Sequence, residues 1–196
     1  MKAAYGLSET IKNAWSLLIT RLCCPGARLI RRPAYIRGKA AMELGEGFTT
    51  GYRCRLEAFA GPSGEKTLRV GRRVKLGDNV HLVATEKLTI GDDCLFASNV
   101  FVSDTDHGSY AGDGRDSDPA TPPDARPLVA HPTAIGERVW VGEGACILPG
   151  AQVGSGCVVA AHSVVKGIIP DNCVVAGAPA RVVRRYVDGH WSKAHE

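Results

Sequence analysis

His107 is the residue of this chain best placed for acid–base chemistry, in the stretch Val102–Tyr110, which reads VSDTDHGSY. An imidazole can accept a proton near neutral pH, since its unperturbed pKa is about 6.5. A regular pattern of aliphatic residues ends at this stretch and a long irregular segment begins. We therefore expect His107 to be held on one side and open to substrate on the other. The residues alone allow equally a histidine that only hydrogen-bonds the root of a loop.

The elements that position His107 are indicated by a period of six. From Ile135 onward an aliphatic residue recurs at every sixth position, at Ile135, Val141, Ile147, Val153, Val159 and Val165. Neither the helical period near 3.6 nor the strand period of 2 produces this pattern, which is typical of hexapeptide repeats. Three hexads form one triangular turn of a parallel β-helix, so residues eighteen apart should stack at about 4.8 Å. The spacing predicts Ile135 next to Val153, and Val141 next to Val159.

The same register continues upstream and covers most of the chain. Its aliphatic position is occupied at Leu44, Thr50, Leu56, Val70, Leu76, Leu82, Ile90, Phe96 and Val102. Its fifth position is mostly small or β-branched, as a narrow interior requires: Cys54, Val74, Val80, Cys94, Val100, Val139, Ala145, Ala151, Cys157 and Ser163. Two interruptions stand out, an insertion near Glu86–Lys87 and the loss of rhythm between Val102 and Ile135. A long irregular segment inside a regular solenoid is usually functional or disordered, and we favour a functional one.

We predict three parts around this repeat. Residues 1–33 form a capping segment with a helix, because Ile11, Trp15, Leu18 and Leu22 lie at helical spacing. Ser8 and Thr10 are its candidate N-caps and Pro25–Gly26 its stop. We expect its apolar stripe to pack on the solenoid end or on a neighbour rather than on a membrane. Residues 34–180 form the β-helix, with a protruding loop at 108–130. Residues 181–196 form a C-terminal tail, which contains His190 and His195.

Composition is consistent with one domain that has a thin aliphatic core, since the 196 residues are 44% hydrophobic with only 6% aromatic. The formal charge is +4, and the basic residues concentrate at 21–39 and 181–185. They form either a solvated face or a site for an anion or a membrane surface, and no nucleic-acid-binding motif accompanies them.

An odd count of seven cysteines favours a reducing compartment over disulfides. Without a signal peptide or a transmembrane run, we expect a cytoplasmic protein, with peripheral contact at the inner face of the membrane as the further alternative.

Three segments resemble a known family: Ile90–Val100 running on to Thr105–His107, then Ile135–Gly142, then Val175–Arg184. They are similar to the hexapeptide acyltransferases of the maltose and galactoside O-acetyltransferase type. The stretch SDTDHGSY and the basic lead-in GARLIRRPAYIRG most resemble bacterial enzymes that O-acetylate lipopolysaccharide, capsule or exopolysaccharide sugars. The resemblance covers roughly residues 26–186. It implies an all-β fold, a left-handed parallel β-helix, and a homotrimer whose sites lie between subunits. It also implies direct transfer from acetyl-CoA to a saccharide hydroxyl.

The resemblance carries roles for individual residues. His107 matches the general base, and Trp140 matches a tryptophan that shapes the acceptor site beside the histidine of an adjoining subunit; core filler is the alternative for Trp140. His81 falls on the strand of the family's acceptor-binding asparagine, although an ordinary outward-facing strand histidine is as reasonable. Asp104 is assigned to the acceptor side as well. Coenzyme contacts are implied for Ala161, Arg181 and Arg184, and for Lys166, where the chain departs from the family's Val-Thr-Lys-Asp.

Other interpretations of the chain remain. N-acylation of an amino sugar could use the same histidine base, and a non-catalytic β-helix scaffold would need neither base nor coenzyme. A zinc site of the γ-carbonic anhydrase kind needs two histidines five residues apart, which this chain lacks, so we expect no metal requirement. Of the other histidines, His131 and His162 are interpreted as structural or solvent-facing. An acyl-cysteine route is disfavoured by the inward register of Cys94 and Cys157.

Overall fold

The structure is a computed structural model that describes residues 6–61 and 64–194, so His195 lies outside the described residues. One helix, α1 (Leu7–Cys23), precedes a stack of short strands. Residues 104–132 leave the stack, and we call this segment the excursion. The strands before it are β1 (Leu29–Ile30), β2 (Tyr35–Arg37), β3 (Met42–Leu44), β4 (Thr49–Thr50), β5 (Arg55–Ala58), β6 (Leu68–Val70), β7 (Lys75–Leu76), β8 (His81–Ala84), β9 (Leu88–Ile90), β10 (Leu95–Phe96) and β11 (Phe101–Ser103). A 3-10 turn at Lys39–Ala41 lies before β3.

The excursion contains β12 (Thr105–His107), a 3-10 turn (Pro123–Ala125) and β13 (Leu128–Ala130). The strands after it are β14 (Thr133–Ile135), β15 (Trp140–Val141), β16 (Cys146–Ile147), β17 (Gln152–Val153), β18 (Val158–Val159), β19 (Val164–Val165), β20 (Ile168–Ile169), β21 (Cys173–Gly177), β22 (Ala180–Val187) and β23 (His190–Lys193).

The strands stack into three sheets that form the faces of a triangular prism. Face A has the order β1-β4-β7-β10-β15-β18-β21-β22-β23, face B the order β2-β5-β8-β11-β16-β19, and face C the order β3-β6-β9-β14-β17-β20. The chain visits the faces in the repeating order A, B, C, and the coils pair in parallel throughout the solenoid. This is the expected left-handed parallel β-helix.

The predicted register is confirmed. Ile135 pairs with Val153 and Val141 pairs with Val159 across neighbouring coils. All ten fifth-position residues named above are buried in the interior. The glycine that follows an aliphatic position is required where coils approach closely: a Cβ on Gly136 would lie 2.6 Å from the backbone nitrogen of Ser155.

The helix at the start of the chain differs from the prediction in its cap and in its orientation. Gly6 occupies the N-cap position, and Ser8 and Thr10 lie inside the helix. Ser16 and Thr20 are the buried residues of α1, whereas the apolar stripe faces outward. The prediction that this stripe packs on the solenoid end is therefore wrong, because polar side chains of α1 make that contact. Among the described residues no helix is both long and apolar enough to cross a bilayer.

Regular secondary structure extends beyond the predicted limits of the β-helix at both ends. Strand β1 begins at Leu29, so the first coil starts inside the segment assigned to the cap. At the other end, β22 pairs antiparallel with β21, and β23 pairs antiparallel with β22. The segment expected as a tail therefore forms a hairpin that widens face A, with Tyr186 and Trp191 in edge-to-face contact at 5.2 Å between ring centroids.

Candidate active site

His107 ends a two-stranded ribbon that leaves the solenoid where face B turns into face C. Strands β12 and β13 pair antiparallel, with Asp106 opposite Val129 and His107 opposite Leu128. Because side chains alternate along a strand, His107 shares one face of the ribbon with Leu128, and Asp106 lies on the other. The His107 side chain is exposed and makes no hydrogen bond or ion pair with any described residue. Its backbone is therefore fixed while its imidazole is open to a ligand.

The turn after His107 is held by a tyrosine and an arginine. The hydroxyl of Tyr110 donates to the carbonyl oxygen of His107, and accepts a hydrogen bond from Arg126 Nη1 at 2.7 Å. Arg126 also donates to the carbonyl oxygens of Thr121 and Pro119, at 2.9 and 3.3 Å. The Arg126 guanidinium thus links Tyr110, Pro119 and Thr121. Through Tyr110 it also helps to hold the backbone of His107. The segment is therefore a folded loop.

Asp104 holds the root of this ribbon. Its carboxylate accepts hydrogen bonds from the backbone nitrogens of Thr85, Glu86 and Lys87, at 2.7 to 3.1 Å, and it is fully buried. Its carbonyl oxygen accepts from the nitrogen of His131 at 2.7 Å. The insertion at Glu86–Lys87 thus supplies amide donors to Asp104. The acceptor role assigned to Asp104 does not fit this placement, because a buried carboxylate saturated by amides cannot reach a sugar; Asp104 positions the loop.

Trp140 lies on face A, with its side chain about half exposed (53%). It pairs with Leu95 and Val158 in neighbouring coils. The alternative of a core filler is therefore excluded. In a triangular coil the edge between faces B and C lies opposite face A, so His107 and Trp140 are on opposite sides of one solenoid. Within a single chain these two residues cannot line the same cleft.

The coenzyme candidates fall into two groups. Arg184 pairs with Val174 on face A, in the column of facing residues that leads through Val158 to Trp140. Arg181 pairs with Ala176 and so lies toward the same corner as Ala161. Lys166 follows β19, at the edge between faces B and C from which the His107 ribbon also leaves. The structure therefore groups Ala161, Arg181 and Arg184 with Trp140, and separates Lys166 from them.

Arg181 and Arg184 line a concavity of about 640 Å³ together with Lys193 of β23. Lys193 lies opposite Arg184 in the antiparallel hairpin. A cluster of three cations beside an open groove favours an anionic ligand such as a phosphate. Lys193 was not predicted from the sequence, because the resemblance ends before β23.

His81 lies on face B, where its ring contacts Phe101 edge-on at 5.4 Å between centroids. Its Nε2 is 3.0 Å from Oε1 of Glu57, a carboxylate only 7% exposed that also accepts from Arg55 at 2.6 Å. An ionised carboxylate only accepts hydrogen bonds, so Nε2 carries the proton and Nδ1 is left as an acceptor. Glu57 was also missed, although the alternation of Arg55 and Glu57 one coil before His81 was visible in the sequence.

The pKa values of both members of this pair are lowered, with a different effect prevailing in each. Burial lowers the pKa of His81, assisted by the nearby Arg55 guanidinium, and outweighs the opposing effect of Glu57. Burial acts to raise the pKa of Glu57, but its hydrogen bonds from Arg55 and His81 outweigh this and lower it. The pair therefore consists of a neutral imidazole and an ionised carboxylate near neutral pH.

The cysteines buried in the coils are not suited to act as nucleophiles. All seven are free, and Cys54, Cys94, Cys157 and Cys173 are buried within the coils. Burial raises the pKa of Cys54 and of Cys94 to about 11 in each case. These thiols stay protonated at neutral pH, so they do not serve as thiolates.

The chain is similar to known proteins over most of its length. Residues 132–167 match the family model described as bacterial transferase hexapeptide (six repeats). The chain is 42% identical over 192 residues to the "Putative lipopolysaccharide biosynthesis O-acetyl transferase WbbJ" of Escherichia coli (strain K12), which covers 98% of this chain and 95% of that protein.

Solved structures have the same architecture. A galactoside acetyltransferase in complex with coenzyme A superimposes with a TM-score of 0.54 at 30% identity, over 72% of this chain and 66% of the other. AntD, an N-acyltransferase from Bacillus cereus in complex with dTDP and 3-hydroxybutyryl-CoA, superimposes with a TM-score of 0.60 over 93% of this chain and 89% of the other. At 18% identity the latter shows the shared fold alone.

Proposed function

Because this chain belongs to the hexapeptide-repeat acetyltransferases, we propose that it transfers the acetyl group of acetyl-CoA to a sugar hydroxyl during assembly of a bacterial surface polysaccharide. The observation that carries the proposal is the 42% identity to WbbJ over nearly the whole of both chains. The exposed imidazole of His107, on a ribbon fixed at both ends, supplies the base that such a transfer needs.

The proposed chemistry is a direct transfer in which His107 acts as general base. The imidazole takes the proton of the acceptor hydroxyl as that oxygen attacks the thioester carbonyl. The C–S bond then breaks, and the imidazolium returns the proton to the departing thiolate, so that the products are the acetyl ester and free coenzyme A. An acceptor hydroxyl is a poor nucleophile at neutral pH unless its proton is removed, so the step depends on the base.

We propose a homotrimer with sites shared between subunits. This is supported by the position of His107 at the edge opposite Trp140 and by the lack of a side-chain partner for His107 among the described residues. A single prism presents flat faces, whereas ligand sites need clefts. Packing face A of one copy beside the B–C edge of the next would bring Trp140 and Arg184 toward the neighbour's His107 and Lys166.

Binding roles follow the same arrangement. Arg181, Arg184 and Lys193 contact the phosphates of acetyl-CoA, with Ala161 at the adjoining corner leaving space for the ligand. Lys166 meets the same coenzyme from the neighbouring subunit. On the acceptor side, Nδ1 of His81 accepts a hydrogen bond from a sugar hydroxyl while Glu57 fixes its tautomer. The proposal requires no metal, because the base and the thioester supply the chemistry between them.

The proposed setting is the cytoplasm, at the inner face of the membrane. Seven unpaired thiols suit a reducing compartment, and so does a coenzyme A thioester donor. Peripheral contact with the membrane would bring the enzyme to a lipid-linked acceptor.

The test is release of the coenzyme A thiol from acetyl-CoA with a panel of sugar acceptors, combined with mass analysis of the product. Treatment with mild base distinguishes the two acceptor chemistries, since it cleaves an ester and leaves an amide intact. A base-labile acetylated sugar supports O-acetylation. A base-stable product would establish N-acylation instead, and absence of transfer with every acceptor would favour the non-catalytic scaffold.

A further inference from the structure

The helix α1 is attached to the solenoid by its polar side. The hydroxyl of Thr20 accepts a hydrogen bond from the nitrogen of Ile30 at 2.9 Å, and the hydroxyl of Ser16 accepts one from the nitrogen of Arg32 at 3.1 Å. Asn13 Oδ1 accepts from Nε of Arg31 at 3.1 Å. Strand β1 is the outermost strand of face A, so these hydroxyls satisfy amides at the open end of the β-helix. The helix orientation is therefore fixed by specific bonds.

This attachment directs the apolar side of α1 away from the protein. At 100° per residue the apolar residues of this face span an arc of about 80°, opposite the buried hydroxyls. All five are exposed: Leu7 (80%), Ile11 (61%), Trp15 (59%), Leu18 (51%) and Leu22 (73%). A contiguous apolar face of this kind on a helix marks an interaction surface. We call it the α1 apolar face.

A cationic groove lies beside this face. It has a volume of about 340 Å³ and is lined by Lys12, Arg32, Pro33, Tyr52 and Arg53, with no acidic residue among them. Lys12 projects from α1 between the apolar arc and the buried side. Arg53 donates to Asn79, a neutral partner. Among the described residues, the two buried side-chain polar atoms without a hydrogen-bond partner are Arg32 Nε and Tyr52 Oη, and both belong to residues that line this groove. The groove therefore presents cationic side chains without a competing carboxylate, which favours an anionic ligand.

The charge of the surrounding segment points to the same kind of ligand. Residues 1–39 contain eight basic residues and one acidic residue, a net +7, whereas the chain as a whole is +4, so residues 40–196 carry −3. Two copies that met through their α1 apolar faces would bring two +7 segments together. An anionic lipid surface would instead neutralise the charge while it buries the apolar residues.

We propose that α1 docks on an anionic membrane surface. The α1 apolar face enters the interface between headgroups and acyl chains, with Trp15 at headgroup level, and the groove at Lys12, Arg32 and Arg53 binds a lipid phosphate. The helix lies in the plane of the membrane, in keeping with its attachment along one side. The inference does not depend on the acetyl-transfer chemistry.

Vesicle flotation tests this with the full chain, using phosphatidylcholine vesicles with and without phosphatidylglycerol. The parent should bind the anionic vesicles strongly and the neutral ones weakly. The Ile11→Ser/Leu18→Ser variant should partition at least about 10-fold more weakly on both. The Lys12→Gln/Arg53→Gln variant should bind anionic vesicles roughly 10- to 30-fold more weakly, with little change on neutral ones. Glycerol phosphate at high concentration should compete with the anionic vesicles for the protein, because the groove recognises the phosphate.

Matched controls remove exposed apolar or basic residues elsewhere. Ile168→Ser/Val187→Ser changes two exposed aliphatic residues, and Lys75→Gln/Arg138→Gln removes two exposed cations; both should bind like the parent. The proposal is overturned if the parent does not bind anionic vesicles. It is also overturned if the Ile11→Ser/Leu18→Ser variant binds them as well as the parent does. A change of mass by light scattering in the apolar variant, without vesicle binding by the parent, would assign the face to a second copy. Acetyl transfer to a soluble acceptor, unchanged in both variants, separates a failure here from a failure of the proposed function.

Discussion

The hydroxyl of Tyr110 donates a hydrogen bond to the carbonyl oxygen of His107. This bond closes the turn after the imidazole, and Arg126 fixes the tyrosine in turn. On the other side of the ribbon the amide of Gly108 donates to the carbonyl oxygen of Pro127 at 2.8 Å. The backbone at His107 is held from both strands, so the side chain can meet a ligand without first ordering a loop.

Removing the imidazole should abolish most of the activity. We expect His107→Ala to lower acetyl transfer by at least about 10²-fold, as for loss of a positioned general base. Thiol release from acetyl-CoA measures this, with unfolding midpoints to confirm the fold. His162→Ala, at an exposed corner, is the matched control and should retain activity. Near-normal turnover of His107→Ala would remove this residue from the mechanism.

Mixed oligomers should recover activity if the site is shared. We expect His107→Ala and Trp140→Ala proteins, each nearly inactive alone, to regain partial activity after subunit exchange, because some interfaces then contain both intact residues. Activity of the mixture is compared with that of each parent variant, and light scattering checks the trimer. A fully active monomer, or no recovery after verified exchange, would exclude a site between subunits.

The cations on β22 and β23 should act on coenzyme binding rather than on chemistry. We expect Arg181→Ala/Arg184→Ala, and Lys193→Ala alone, to raise the KM for acetyl-CoA by about 10-fold or more with a smaller change in kcat, because remote phosphate contacts bind ground and transition states alike. Added salt should weaken binding by the parent more than by the variants. Arg138→Ala, an exposed cation on another loop, serves as control. Unchanged coenzyme binding in the double variant would place the groove elsewhere.

The carboxylate of Asp104 should contribute to stability. Asp104→Asn turns amide donors toward the backbone nitrogens of Thr85, Glu86 and Lys87, so we expect a loss of about 3 kcal/mol in the free energy of unfolding. Urea unfolding measures it, and Asp113→Asn, in a solvent-exposed ion pair with Arg115, should leave the unfolding midpoint close to that of the parent. A variant as stable as the parent but with a raised KM for the sugar would return Asp104 to the acceptor side.

The His81–Glu57 pair predicts a stability that falls under acid. Burial lowers the pKa of His81 in the folded protein, so below about pH 6.5 the unfolded chain binds a proton that the folded chain does not. Stability should therefore decrease from about pH 7 to about pH 5. Glu57, whose pKa is lowered on balance, adds a further decrease at lower pH, as its carboxylate is protonated. Unfolding midpoints measured across this range should vary less in His81→Asn; an unchanged slope would mean that other groups control the acid response.

The repeat was predictable because it is local. A residue of the six-residue period is buried or exposed according to its place in the hexad, and Ile135, Val141 and their stacking partners needed no knowledge of distant contacts. His107 was a candidate for a related reason, since it lies where the period stops. The handedness of the coil and the residue roles came from resemblance to a family, because spacing alone is the same for either hand.

What tertiary structure decided depends on contacts between residues far apart in the chain. Asp104 differs from a surface aspartate because three amides of the preceding coil, those of Thr85, Glu86 and Lys87, bind its carboxylate, and Glu57 acquires a histidine partner from a strand twenty-four residues later. The helix α1 shows the same limit. Its periodicity predicted the helix correctly, but its orientation was set by Ser16 and Thr20, whose hydroxyls bind the open edge of the first coil and so leave the apolar side outward. The spacing of apolar residues along a helix determines which of them share a face. Hydrogen bonds to a strand elsewhere in the chain determine the direction in which that face points.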